Sequence, residues 1–286
     1  MKIGIIGAGK VGVTLGKYLK ENAVTVTGYY SRTFTSSVEA AEFTNTKAYQ
    51  SLQALVEASD TLFITTPDGQ IGSVWDYIAN YDIENKVICH FSGSLSSKEF
   101  SGIDATGAVG CSIHPMYAFS DKFESYKQFH TALLTIEGQE KAVNAIRPLF
   151  ERLGHTVFVM QSDDKVKYHA AAALASNYMV GLLSTSVSLL EECGFSEQAA
   201  MQLLSPLVSA NVETILREGP VKALTGPIER NDIETVQKHL TVLAGTETKD
   251  SYCSLGKELV RIAEKKNADR DYTAMRTLLE KFDHLS

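Results

Sequence analysis

The chain is poor in cysteine, proline and tryptophan, with 4 Cys, 6 Pro and 1 Trp in 286 residues. Cys89, Cys111, Cys193 and Cys253 are scattered and form no C-x-x-C pair. That argues against a disulfide framework or a structural zinc site. The 7 histidines lack any H-E-x-x-H pairing, so no metal is expected. Positive charge is not in excess: 27 Lys and Arg against 34 Asp and Glu leave a net charge of −7. This balance argues against nucleic acid or an anionic membrane as the main partner, while leaving room for a local basic pocket. No stretch reads as the roughly 20 consecutive apolar residues of a membrane span. No internal repeat or low-complexity linker interrupts the chain. The first strand pattern begins at once, which leaves no place for a signal peptide, and the expected location is the cytoplasm. With 44% hydrophobic and 21% charged residues, the composition is that of a globular protein of one large or two ordinary domains.

What is present begins in the first dozen residues, MKIGIIGAGKVG. A short apolar run, Ile3 to Ile6, breaks into Gly7, Gly9 and Gly12, and Val11, Leu15, Tyr18 and Leu19 then recur at helical spacing. This is strand, tight turn and helix with G-x-G-x-x-G spacing. Gly7 allows the turn, Gly9 lets a pyrophosphate approach the backbone, and Gly12 lets helix and strand pack closely. The turn Gly7-Ala8-Gly9-Lys10-Val11-Gly12 is therefore the expected pyrophosphate cradle, at a helix end that presents free N–H groups. The second strand, Val24 to Tyr30, leads into Ser31-Arg32-Thr33. An NAD-selective site would place an acid there for the ribose 2′-OH. An arginine between two hydroxyls suits a 2′-phosphate instead, so NADP is expected, with NAD possible if Arg32 merely stacks on adenine.

Further strands read at 47–49, 60–66, 86–91 and 108–113, alternating with helical patterns. The expected fold class is α/β, a parallel, doubly wound Rossmann domain over 1–162. Strands at 131–136 and 157–160 flank a helix and extend the sheet. From 163 to 286 only helices are expected. They start with one long helix from Asp164 to Glu192. The next is capped by Ser196 and interrupted at Pro206, and Asp232 caps a third. This all-helical half is expected to bind substrate and to form a homodimer, because a long alanine-rich helix leaves faces to bury. In doubly wound sheets ligands bind beyond the carboxyl ends of the strands, which singles out Thr65 to Asp68, Ser92 to Ser94 and His114 to Met116, with Thr66, Pro67, Ser92 and Gly93 expected to line the nicotinamide end.

The N-terminal part resembles the dinucleotide domain of pyrroline-carboxylate reductases, 6-phosphogluconate-type dehydrogenases and ketopantoate reductases. Four further segments sharpen the likeness: HFSGSL at 90–95, GCSIHPMYAF at 110–119, KYHAAAALASNY at 167–178 and LTGPIERNDIETVQKHL at 224–240. Together they resemble the Rossmann-like NADP oxidoreductases whose C-terminal half is a domain of unknown function, number 2520. The family commonly has Arg-Gly-Asp where this chain has Arg230-Asn231-Asp232, and asparagine also tolerates left-handed backbone. The resemblance implies an NADP-dependent oxidoreductase that passes a hydride between nicotinamide and the carbonyl or imine carbon of a small, carboxylated metabolite. The rival reading is a non-catalytic NADP(H)-binding sensor.

Such an enzyme needs an acid beside the nicotinamide. His114, at a strand end, is one candidate; the alternative is that it braces the His-Pro turn. His169 is the other. Helical phase puts Lys165, His169, Ala172, Ala173 and Ser176 on one face, with Asn177 at its margin. Lys165 and Asn177 would orient the substrate and Ser176 would touch it. The resemblance supports this stripe, since related reductases carry one on the first helix of their second domain. The alternative is a half-exposed helix start. Lys167 points away, and Tyr168 is expected in the core. Arg230 could clasp a substrate carboxylate, or pair with Asp232. His90 reads as a satisfied core histidine, while His130, His155, His239 and His284 have no assigned role.

Overall fold

The computed structural model describes residues 1–283 and divides into two compact units, 1–176 and 177–286. The last strand does end before 162, where the sequence turns wholly helical, but the first long helix groups with the sheet.

The first unit is an eight-stranded sheet ordered β3-β2-β1-β4-β5-β6-β7-β8. Its strands are β1 (Lys2–Ile6), β2 (Thr25–Tyr30), β3 (Lys47–Ala48), β4 (Thr61–Ile64), β5 (Val87–His90), β6 (Val109–Met116), β7 (Leu133–Gly138) and β8 (Val157–Val159). All pairs are parallel except β6 with β7. The connection after β6 has only short 3-10 turns at Ser125–Lys127 and Phe129–Thr131. Without a crossover helix the chain can only return antiparallel; β1 to β6 are parallel as expected, and β7 and β8 extend the sheet as expected.

Helices cover both faces. Among them are α1 (Lys10–Glu21), α2 (Phe34–Thr44), α3 (Leu52–Ala58), α4 (Asp68–Ile78) and α5 (Glu140–Arg152). Strand alternation sorts the core. Ile3, Ile5, Phe63 and Cys89 pack with Val13, Leu15, Ala40 and Ile146. Ile6, Leu62, Ile64 and Ile88 pack on the other face with Leu55, Ile71, Trp75 and Ile78. The strand order reverses between β1 and β4, which opens the ligand crevice of such a sheet beside the glycine turn. α6 (Lys165–Ala175) completes this unit.

The second unit holds α7 (Asn177–Glu192), α8 (Glu197–Glu218), the four-residue α9 (Pro220–Ala223), α10 (Ile233–Val242), α11 (Glu247–Lys266) and α12 (Thr273–Asp283). Ile228, Val236, Leu240, Val260, Tyr272, Met275 and Leu279 form its core. Three expectations need correction. The helix expected from Asp164 to Glu192 is divided at Ser176, whose φ of −116° departs from helical geometry. Pro206 does not interrupt α8; it sits inside an unbroken 22-residue helix. And the run Ser162–Glu192 is long and apolar enough to cross a membrane by length and composition. Its polar residues are spaced out, so no unbroken apolar stretch exists, yet the average remains apolar. The caps fall where expected. Ser196 Oγ accepts from Ala199 N at 3.3 Å and Asp232 Oδ1 from Thr235 N at 3.0 Å.

Candidate functional site

The glycine turn has the geometry that its spacing implies. Gly7 has a φ of +113°, open to glycine at little cost, and a Cβ there would lie 2.9 Å from the Thr65 carbonyl. A Cβ on Gly12 would meet Gly7 O at 2.3 Å and Thr65 Oγ1 at 2.5 Å, while one on Gly9 would meet nothing within 4 Å. Gly7 and Gly12 are thus required by the fold, and Gly9 faces open space. Thr65 Oγ1 donates to Gly7 O at 3.0 Å, and Gly7 N donates to Tyr30 O at 2.8 Å. These bonds tie the turn to the ends of β4 and β2. Gly9 is the N-cap of α1, which has no side-chain cap and no acid in its first turn. Its first N–H groups, those of Lys10, Val11 and Gly12, therefore have no intrahelical acceptor. The Lys10 ammonium is engaged elsewhere, donating to Ser120 O at 2.7 Å.

Arg32 follows β2 directly. It is exposed, and no hydrogen bond or ion pair engages its side chain among the described residues. Thr33 is the N-cap residue of α2 but makes no side-chain cap bond. A free guanidinium, two hydroxyls and an uncapped helix start therefore stand together at the strand end.

The ends of β4, β5 and β6 carry the reactive groups. Ser92 Oγ and Ser94 Oγ both donate to Asp68 Oδ2, at 2.7 and 2.9 Å. Asp68 is the first residue of α4, where the helix dipole favours a carboxylate. Thr66 Oγ1 is buried without a hydrogen-bond partner. Gly93 lies between the two candidate histidines: a Cβ there would come within 2.8 Å of His114 Nε2 and 2.5 Å of His169 Nδ1. The two rings cross edge to face with centroids 6.0 Å apart. His114 Nδ1 is 2.9 Å from the Tyr168 hydroxyl. Burial pushes the His114 pKa down to about 4, the charges of Lys165 and His169 push the same way, and Asp68 opposes them.

Lys165 is fully buried at 1% exposure, and its ammonium donates to Ser112 Oγ. Burial lowers its pKa to about 8 against the upward pull of Glu137, whose Oε1 lies 3.7 Å away. Glu137 is equally buried and accepts from Ser97 N and Ser97 Oγ, both at 2.8 Å, and from Ser162 Oγ. Lys165 is therefore paired inside the protein and is not free to orient a substrate, contrary to the role expected for it. His90 is the satisfied core histidine anticipated: fully buried, with Nε2 3.0 Å from Ser96 O.

Helical phase places α6 correctly, with Lys165, His169, Ala172 and Ala173 turned inward and Lys167 exposed. It misplaces Tyr168, which reaches His114 rather than a core. Ser176 is exposed at the end of this unit, and Asn177 opens the second. Arg230, also in the second unit, is exposed, and its charge helps to lower the pKa of Asp232, behind the larger effect of the Thr235 hydrogen bonds. Asn231 adopts a φ of +60°, so the turn keeps the left-handed residue. His284 lies outside the described residues. Asp68 and Ser94 fell within the strand ends singled out but had no assigned role, while Ser112 and Glu137 went unmarked in the sequence. Glu137 carried a signal, a lone acid in the strand LLTIEG; Ser112 carried none.

Comparisons with known proteins agree with this architecture. A Rossmann-like domain model matches residues 1–115, and the domain of unknown function 2520 matches residues 132–259. A comparison with curated protein sequences found no match. Among solved structures, a Thermotoga maritima protein is similar over 93% of this chain and 99% of its own, with 24% identity and a TM-score of 0.75. An imine reductase from Pseudomonas is similar over 98% of this chain and 92% of its own, at 15% identity and a TM-score of 0.58. A reductive aminase from Aspergillus terreus, solved with NADPH and ethyl-5-oxohexanoate, covers the same shares at 14% identity and a TM-score of 0.62. At these identities the likeness is one of fold.

Proposed function

We propose that this chain, which matches a Rossmann-like domain model followed by the domain of unknown function 2520, is an NADP-linked oxidoreductase. Its substrate is a small, carboxylated metabolite reduced at a carbonyl or imine carbon. The observation that carries the reading is the glycine turn, open at Gly9 and closed at Gly7 and Gly12, beside an unpaired Arg32. The residues fit the dinucleotide. The N–H groups at the start of α1 would take the pyrophosphate. Arg32, with Ser31 and Thr33, would take the 2′-phosphate in a charge-assisted bond. Thr66, Pro67, Ser92 and Gly93 would line the nicotinamide end. When bound, NADPH supplies the hydride. The two histidines beside Gly93 are the groups able to deliver the accompanying proton.

The NADPH bound by the Aspergillus reductive aminase and the imine reductase activity named for the Pseudomonas neighbour support this reading. Fluorescence titration tests it. NADPH should bind the wild type more tightly than NADH, and Arg32→Ala should weaken NADPH roughly 10- to 100-fold, the range for loss of one charge-assisted hydrogen bond, while sparing NADH. Failure of both cofactors to bind would overturn the proposal.

We also propose a homodimer through the helical unit. Its α7 and α8 bury only Val187 and Ala200, and leave Leu182, Leu203 and Leu207 more than half exposed. Apolar exposure of this extent is uncommon on a monomer.

A further inference from the structure

Lys10 breaks a local rule. It is the first residue of α1, where the positive end of the helix dipole disfavours a cation. No carboxylate compensates it: its bond to Ser120 O is its only hydrogen bond, and it has no ion pair, among the described residues. Acids are not scarce, at 34 against 27 basic residues. A break in local preference of this kind marks a functional position. We propose that Lys10 is a pyrophosphate ligand of the dinucleotide, and that the segment 117–124, which it holds, is a further wall of the cofactor site. Phosphate recognition and the ordering of this segment are then one event. This assignment of Lys10 rests on the dinucleotide reading of the glycine turn.

The segment leaves the end of β6, the strand that carries His114, and returns to the start of α1. Its shape is set locally. Asp121 Oδ1 accepts from Phe123 N and Glu124 N at 2.7 and 2.9 Å, and Asp121 N donates to Ser125 Oγ at 3.1 Å. The rings of Tyr117 and Phe119 rest on the fully buried Phe129, with centroids 5.6 and 5.9 Å away. Two lysines then tie the segment to the two sides of the expected cofactor site. Lys10 donates to Ser120 O at 2.7 Å on the pyrophosphate side. Lys122 pairs with Glu39 of α2, the helix that follows Arg32 and Thr33.

An ammonium has three donors, and Ser120 takes one. The other two are open to a phosphate oxygen received by the N–H groups of Lys10, Val11 and Gly12. Lys10 can therefore hold the phosphate and the segment together. The segment has little else to fix it, since Ala118, Ser120, Asp121 and Glu124 are exposed. A stretch with few buried contacts opens at low free energy, and a partly exposed ion pair such as Lys122–Glu39 adds little. A ligand shifts such an equilibrium by as much as it prefers the ordered state, and Lys10 is the group that supplies the preference.

Hydrogen-exchange mass spectrometry and NADPH fluorescence titration of the full chain test this together. In the wild type, saturating NADPH should slow exchange of the amides of 117–124 as well as those at the start of α1. Lys10→Met removes the ammonium and keeps most of the side-chain length. It should weaken NADPH about 10-fold, the lower end for a charge-assisted hydrogen bond, and saturating NADPH should then protect the start of α1 alone. Lys10→Arg keeps donors for both partners and should restore both effects. The wild-type exchange measurement needs no variant, so the test survives misfolding of Lys10→Met. Three results would overturn the proposal: NADPH binding that leaves 117–124 unprotected, protection that persists in Lys10→Met, or wild-type affinity in Lys10→Met, which would make Lys10 an anchor of the segment and no more. A wild type that binds no NADPH would defeat the dinucleotide reading itself, and the assignment of Lys10 with it.

Discussion

Gly9 and Gly12 are the same residue in opposite surroundings, and substitution should separate them. Gly12→Ala forces a methyl against Gly7 O and Thr65 Oγ1, an overpacking that costs about 1–3 kcal/mol. Gly9→Ala meets nothing and should leave the melting temperature unchanged, while reducing NADPH affinity by standing in the path of the phosphates. Melting curves and NADPH fluorescence on both variants check this together. The buried pair Lys165–Glu137 predicts a second effect. Glu137→Gln leaves a buried ammonium without its counter-charge, and should lower stability in urea by about 3–5 kcal/mol. His90 predicts a pH effect. Burial lowers its pKa to about 4 from 6.5. In the unfolded chain it takes up a proton as pH falls through 6.5, and in the folded protein only near 4. Stability present above pH 6.5 is therefore lost on acidification, by about 3 kcal/mol once pH has fallen through 4. Urea unfolding of His90→Asn between pH 7 and 4 should show a flatter decline than the wild type. At this scale spacing made the glycines legible. Lys165 was legible as an inward residue but not as a paired one, since Glu137 is distant in sequence.

At the scale of elements, periodicity located the strands and most helices because each buries a defined face. All eight strands stand where alternation and β-branched runs put them. α2 was overlooked because its hydrophobic pattern is weak, with Ser37, Ala40, Ala41 and Thr44 as its buried residues. Pro206 misled for a different reason. Proline removes one helix hydrogen bond and clashes with the preceding turn, but a long helix can absorb this loss. The strain remains, so Pro206→Ala should stabilise α8 by up to about 3 kcal/mol, provided the backbone is free to straighten. Calorimetry should then show a higher transition temperature for the helical unit. The direction of β7 was not legible, because strand pattern is the same in parallel and antiparallel pairs and only the connection decides.

For the whole molecule, the exposed leucines of α7 and α8 are the main unpartnered surface. If they form the dimer interface, Leu203→Glu with Leu207→Glu should convert a dimer to a monomer in sedimentation velocity. A wild type that sediments as a monomer at micromolar concentration would remove that proposal. The same leucines lie in a helical region whose first part, Ser162–Glu192, passes the composition test for a membrane span, and sedimentation without detergent also bears on that.

The sequence by itself determined the strand–turn–helix at the N-terminus, the alternating order of strands and helices, and the inward face of α6. These follow from local rules, namely the sterics of glycine and the periods of strand and helix. Only the tertiary structure decided that Lys165 meets Glu137 and Ser112, that Tyr168 meets His114, and that His114 and His169 converge on Gly93. Those contacts join β5, β6, β7 and α6. Their partners are set by how the sheet closes on the helix, which no local spacing encodes.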